Sequence, residues 1–198
     1  MEGTREASSA SRTGFHILFV CTGNICRSPL AERLARAALG PAFRVTSAGT
    51  HAEPGMEMAE HTRRTLLRLG GDPSGFVSSP LTTEAVAAAD LVLTAASAHR
   101  AEAVARHLQA AGRTFTIAEF GALAEAVEPT AVTRHRDAVR RAHALVDEVR
   151  RLRGLVPVDR PDILDPIGGT RWHHRMAGRR IARSLDVPLR LLTQPSAP

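Results

Sequence analysis

Phe15-His-Ile-Leu-Phe-Val20 runs directly into Cys21-Thr-Gly-Asn-Ile-Cys-Arg-Ser-Pro29, which runs directly into Leu30-Ala-Glu-Arg-Leu-Ala-Arg-Ala-Ala-Leu39. An apolar, β-branched and aromatic run reads as a buried strand, and apolar residues at Leu30, Leu34, Ala38 and Leu39 read as a helix. A strand tied to a helix by so short a loop leaves few folds open. Pro29 fits the first helical position, where a missing N–H costs nothing, and Ser28 fits the N-cap.

A loop that ends on a helix N-terminus is an anion site, because unpaired N–H groups and the positive end of the helix dipole point into it. Phosphate is the obvious guest. The sequence puts a thiol at the loop's first position, Cys21, and a guanidinium six residues later, Arg27. Backbone N–H groups, a helix start and a guanidinium together favour the thiolate, the nucleophilic form of cysteine. Arg27 is planar and permanently charged, so it can clamp two phosphoryl oxygens at once. Gly23 permits close approach or positive φ, and Asn24 tolerates the left-handed region while its side chain ties the loop to a neighbour.

Cys21-Thr-Gly-Asn-Ile-Cys-Arg27-Ser-Pro resembles the phosphate loop of low-molecular-weight protein-tyrosine phosphatases, bacterial type. That resemblance implies a fold: a three-layer α/β sandwich whose four-stranded parallel sheet has the order 2-1-3-4. It implies an activity, metal-free and cofactor-free hydrolysis of protein phosphotyrosine through a cysteinyl phosphate. Cys21 is then the nucleophile and Arg27 the clamp, with the phosphate held along Thr22, Gly23, Asn24, Ile25, Cys26, Arg27 and Ser28. Ser28 is expected to hydrogen-bond the thiolate. Ser47, in Ser47-Ala-Gly-Thr50, is expected to hold Asn24. The family's general acid stands in an Asp-Pro pair before the last helix, which Asp165-Pro166 matches; Asp162 is the fallback, and Asp159 is followed by Arg160. One carboxyl can protonate the leaving oxygen and later deprotonate water. The implied partners are a tyrosine-phosphorylated protein and a cognate bacterial tyrosine kinase.

The rest of the chain alternates strands with helices, as a parallel sheet requires. Strands are expected at 43–49, 90–94 and 113–117, and helices at 55–69, 85–89, 97–110 (capped by Ser97), 133–152 and 170–185. Ligands in such sheets bind at the carboxyl ends of strands, where Cys21 lies. Residues 1–13 read as a disordered arm, 14–193 as a single phosphatase domain and 194–198 as a disordered tail. The arm has no apolar run long enough for a signal peptide, no stretch reaches a membrane span, and the two cysteines both sit in one loop, so a reducing cytoplasm is expected. All 26 basic residues are Arg, and the net charge is +6. They are scattered without aromatic platforms, so nucleic acid is not expected. His135 and His143 are too sparse for a metal site and are expected on the surface.

Three departures from the family pattern bear on specificity. Ser79 stands where an Arg is common. Ile167 replaces the aromatic that usually follows Asp-Pro, and the chain contains no Tyr at all. Stacking on a substrate ring then falls to His51, Trp172 or Phe76, although Trp172 is expected to lie on the core. Protein-arginine phosphatases of the same superfamily usually carry a Thr where Ile25 stands, yet Asp165-Pro-Ile-Gly-Gly169 resembles their Asp-Pro-Phe-Gly-Gly. A non-catalytic phosphate-binding module is the remaining alternative; it is expected to lack the nucleophile or the acid. Cys26, five residues from Cys21, could form a reversible disulfide with it that shields the nucleophile, in a loop short enough to strain the bond; whether it does is left open by the sequence.

Overall fold

The computed structural model describes residues 14–194. The expected arm 1–13 lies outside the described residues, as does the expected tail apart from Gln194, which caps the last helix. Four strands, β1 (Phe15–Cys21), β2 (Phe43–Gly49), β3 (Leu91–Thr94) and β4 (Thr114–Thr116), form one parallel sheet in the order β2-β1-β3-β4. β1 is central: Phe15 pairs with Phe43 and Cys21 with Gly49 on one side, while Ile17 pairs with Leu91 and Val20 with Thr94 on the other. A strand with neighbours on both edges and helices on both faces is buried throughout, so it is apolar except where a polar side chain finds a partner, as His16 Nε2 does in Thr46 Oγ1 at 2.8 Å. All seven residues of β1 are buried.

Eight helices flank the sheet among the described residues: α1 (Arg27–Ala38), α2 (Glu60–Arg68), α3 (Thr83–Ala88), α4 (Ser97–Arg106), α5 (Ile117–Glu125), α6 (Pro129–Thr133), α7 (Ala138–Leu152) and α8 (Arg171–Thr193). Phe15, Ile17 and Phe19 face a large core with Leu30 of α1, Phe120 of α5, Leu145 of α7 and Ile181 of α8. Leu18 and Val20 face a smaller one with Val86 of α3 and Ala103 of α4. The result is the expected three-layer α/β sandwich.

Several element boundaries differ from the expectation. α1 begins at Arg27, with Cys26 rather than Ser28 at the N-cap. Pro29 is therefore the third helical residue, still within the turn whose N–H groups have no partner. Ser28 is freed to turn its hydroxyl elsewhere. α2 starts at Glu60, five residues later than expected, and Asp90 precedes β3. The expected helix 97–110 breaks at His107, and Leu108–Arg113 continue as a 3-10 helix. Its N-cap is Ala96, and the N–H and hydroxyl of Ser97 both donate to Asp162.

The expected helix 133–152 starts five residues late: Thr133 ends α6, and Asp137 accepts the Arg140 N–H at 2.8 Å and opens α7. α5 was not expected at all. Its signal is Thr116-x-x-Glu119, a capping box in which each side chain accepts the other's N–H. α8 outruns its expected end at Leu185 and passes through Pro188, because Leu185, Leu191 and Leu192 are buried beyond or beside it. The buried Arg141 guanidinium donates twice to the Leu192 carbonyl, at 3.1 and 3.0 Å, and so satisfies that helix end. His135 is half-buried and His143 is exposed, with its ring edge-on to Phe15.

Candidate active site

The loop from Cys21 to Arg27 hangs at the carboxyl end of β1, with its carbonyls turned outward to neighbouring segments. The N–H groups of Thr50, His51 and Ala59 donate to the carbonyls of Cys21, Thr22 and Ile25, each at 2.9 Å. Asn24 takes φ 51°, the left-handed region, and is completely buried. Its amide holds the loop together: Nδ2 donates to Ser28 Oγ and to Ser47 Oγ, both at 2.8 Å, and Oδ1 accepts the Ser79 N–H at 2.8 Å. Ser79 thus serves through its backbone, which any residue supplies. Ser47 Oγ in turn donates to Glu32 Oε2 at 2.6 Å. Glu32, a buried carboxylate on α1, also meets Arg36 at 3.2 Å. Sequence reasoning missed Glu32, whose signal is a charged residue on the apolar face of its helix.

The glycine that sterics require here is Gly49, not Gly23. A Cβ on Gly23 would meet nothing nearer than Ile25 Cγ1 at 3.7 Å. On Gly49 it would overlap the Thr22 carbonyl oxygen and lie 2.8 Å from the Asn24 nitrogen. Both are backbone atoms of the loop, so they cannot swing aside. Gly49→Ala is expected to destabilise the fold by about 1–3 kcal/mol, as overpacking does, and to displace the loop. A thermal melt and an initial rate on the same preparation check this; unchanged values in both would refute the steric reading.

Cys21 Sγ lies 3.0 Å from Ser28 Oγ, and both residues are buried. The hydroxyl that left the N-cap therefore touches the thiol. Arg27 is also buried, reaching the Ile163 carbonyl through Nη1 at 3.0 Å and Asp165 Oδ2 through Nη2. Its Nη2 is 3.4 Å from Thr22 Oγ1, and its buried Nε has no hydrogen-bond partner among the described residues. Asp165, more exposed, accepts the Ile167 N–H through Oδ1 at 3.1 Å. Chain folding therefore brings Cys21, Arg27 and Asp165 to one place. Asp162 is engaged at the start of α4, and Asp159 is exposed on the approach to it.

His99 was not expected here. From α4 its Nε2 meets Thr22 Oγ1 at 2.9 Å. Burial first, and then the charge of Arg27, hold its pKa below the ordinary 6.5, so the ring beside the loop is neutral at pH 7. Cys26 is pushed the other way from Cys21's role: burial raises its thiol to about 11, against a hydrogen bond from Thr62 that lowers it. It is a thiol at pH 7, and both cysteines are free. Of the three residues expected to stack on a substrate, Phe76 is buried beneath the Arg33 guanidinium, 5.7 Å from its ring centre. Trp172 is 61% exposed rather than on the core. His51 is exposed and its N–H holds the loop.

Residues 16–130 match the family model described as low molecular weight phosphotyrosine protein phosphatase, a span that includes Cys21 and Arg27 but not Asp165. A protein-arginine-phosphatase of Geobacillus stearothermophilus is 39% identical over 106 residues, 54% of this chain and 71% of the relative. A probable low molecular weight protein-tyrosine-phosphatase, EpsP, of Ralstonia solanacearum is 40% identical over 104 residues, 52% of this chain and 71% of the relative. Among solved structures, the YwlE arginine phosphatase of G. stearothermophilus superposes with a TM-score of 0.64 at 29% identity, covering 88% of this chain and 90% of that one.

Proposed function

Because the chain belongs to the low molecular weight phosphotyrosine protein phosphatase family, we propose that it hydrolyses phosphotyrosine in proteins through a cysteinyl phosphate. The observation that supports this most is the meeting of Asp165 with Arg27 of the loop that begins at Cys21, across 138 residues of sequence. In this reading the Cys21 thiolate attacks phosphorus in line, forming S–P as the ester P–O bond breaks. Arg27 and the loop N–H groups from Thr22 to Ser28 hold the charge that develops on the equatorial oxygens. Asp165 gives its proton to the leaving phenolate. It then takes one from water, whose oxygen attacks phosphorus and releases the thiolate, stabilised by the Ser28 hydroxyl. The catalytic unit is residues 14–193. Its substrate is a tyrosine-phosphorylated protein of the cytoplasm, with a cognate bacterial tyrosine kinase on the opposing side.

Phosphotyrosine is favoured over phosphoarginine by two apolar side chains. Ile25 is half-buried in the phosphate loop, and Ile167, next to the acid, is 56% exposed. A phenyl ring gains by contact with them, whereas a guanidinium loses hydration without gaining a partner. The arginine reading keeps a specific support in the relative named for that activity and in the Asp165–Gly169 segment. Initial rates on paired phosphotyrosine and phosphoarginine peptides decide between them. Wild type is expected to prefer phosphotyrosine, and Ile25→Thr to move that preference toward phosphoarginine by roughly tenfold, the size of one apolar contact. A wild-type preference for phosphoarginine would overturn the assignment.

A further inference from the structure

α8 carries Arg171, Arg175, Arg179 and Arg183 at four-residue intervals, and all four are exposed. Four residues advance a helix by about 6 Å and turn it slightly more than once, so the four form a slowly winding ladder about 18 Å long. Like charges at this spacing repel and weaken a helix. The usual remedy is an interleaved carboxylate, and none is present: the single acid of α8, Asp186, pairs with Arg190 at 3.1 Å. None of the four ladder arginines makes an ion pair among the described residues. Elsewhere on the surface Arg63 and Arg64 pair with Glu60, and Arg150 pairs with Asp147. Arg44, Arg136 and Arg140, like the ladder arginines, are exposed without an ion pair among the described residues, so what sets the ladder apart is its regular spacing on one helix.

Three of the four, Arg171, Arg175 and Arg179, line a groove. α2 packs against α8, with Thr62 Oγ1 2.8 Å from His174 Nδ1, and its last residue, Arg68, is exposed toward the same side. Two hollows of about 350 and 310 Å³ share Arg68 and Arg175 in their walls, and no carboxylate lines either. Leu69 and the exposed Trp172 supply apolar surface between the guanidinium groups. Arg171, which lines one of the hollows, follows Asp165 by six residues in the chain.

We infer that this groove binds an acidic stretch of the protein substrate, extended from its phosphorylated residue, an inference that rests on the phosphatase reading. In an extended peptide, side chains on one face recur every two residues, roughly 6.6 Å apart, close to the step of the ladder. Alternate Asp or Glu side chains can thus each meet one guanidinium. Nucleic acid is the poorer fit, because Trp172 alone offers a stacking face and single strands need successive ones.

The test uses the full chain, with p-nitrophenyl phosphate and two phosphopeptides that differ only in neutral or Asp/Glu-rich flanks. Wild type is expected to favour the acidic peptide at least tenfold in kcat/KM, through KM. Arg175→Glu with Arg179→Glu is expected to erase that preference and leave p-nitrophenyl phosphate turnover unchanged. Arg175→Gln with Arg179→Gln serves if charge reversal disturbs folding. Trp172, the chain's one tryptophan, reports binding directly. Its fluorescence is expected to shift with the unphosphorylated acidic peptide and to recover in salt. Equal kcat/KM on both peptides, or tighter binding of an oligonucleotide than of the acidic peptide at equal ionic strength, overturns the inference. If p-nitrophenyl phosphate is not turned over at all, the phosphatase reading fails, and the Trp172 titration still decides what the groove binds.

Discussion

Cys21→Ser is expected to remove phosphoester turnover almost completely, by roughly 10⁴-fold or more, without unfolding the protein. The two side chains have nearly the same shape, so packing at the end of β1 is preserved. The change is chemical. A sulfur 3.0 Å from the Ser28 hydroxyl is a far better nucleophile toward phosphorus, and a better leaving group from it, than an alcohol oxygen in the same place. Arg27 and the loop remain, so the variant is expected to keep its affinity for inorganic phosphate, measured as a rise in melting temperature with added phosphate. Initial rates on p-nitrophenyl phosphate give the other half of the result. Residual activity above a tenth of wild type would mean that another group attacks phosphorus. Cys26, whose thiol is held near 11, is not such a group.

Asp165→Asn is the second large effect, and it has two opposite parts. Losing the general acid is expected to lower kcat by roughly 10²–10⁴-fold on substrates with poor leaving groups, and by much less where the phenolate leaves unaided. Phosphate affinity is expected to rise. In the structure Asp165 Oδ2 takes the Arg27 Nη2 proton that a phosphoryl oxygen needs, so the carboxylate competes with the ligand for its own clamp. An amide competes weakly. Rates across a series of aryl phosphates, together with phosphate inhibition constants, separate the two parts. A uniform fall for every leaving group would remove Asp165 from the acid's role. Asp162→Asn is the control: its carboxylate serves the start of α4 at 2.7 Å from Ser97 Oγ, so it should leave the chemistry alone.

Cys21 and Arg27 were legible as candidates for nucleophile and clamp because their signal is local. Cys21, Asn24 and Arg27 sit on one strand, one turn and one helix start, and each residue type fits a requirement of that geometry. Asp165 was legible only through family resemblance, since its partner lies 138 residues away. The misreadings share a cause: tertiary contacts settle what local rules leave open. Ser28 satisfies the N-cap rule, but the thiol and Asn24 claim its hydroxyl. Pro188 ought to end a helix, but buried leucines and Arg141 carry α8 past it. α5 is the exception, for its capping box was local and visible. Glu32 and His99 were hidden because a buried charge or imidazole can be placed only once its neighbours are known.

The distance between Arg27 and Asp165 along the chain has a consequence during synthesis. The phosphate loop leaves the ribosome early, but Gly49, Ser79, His99 and the Ile163 carbonyl that fasten it arrive one after another. Until the segment around Asp165 emerges and docks, Arg27 lacks the Ile163 carbonyl and the Asp165 carboxylate that hold it, although all four strands, the last ending at Thr116, have already been made. On the reading proposed above, the half-made protein therefore meets phosphoproteins as a bystander, and competence waits for Asp165 to reach Arg27.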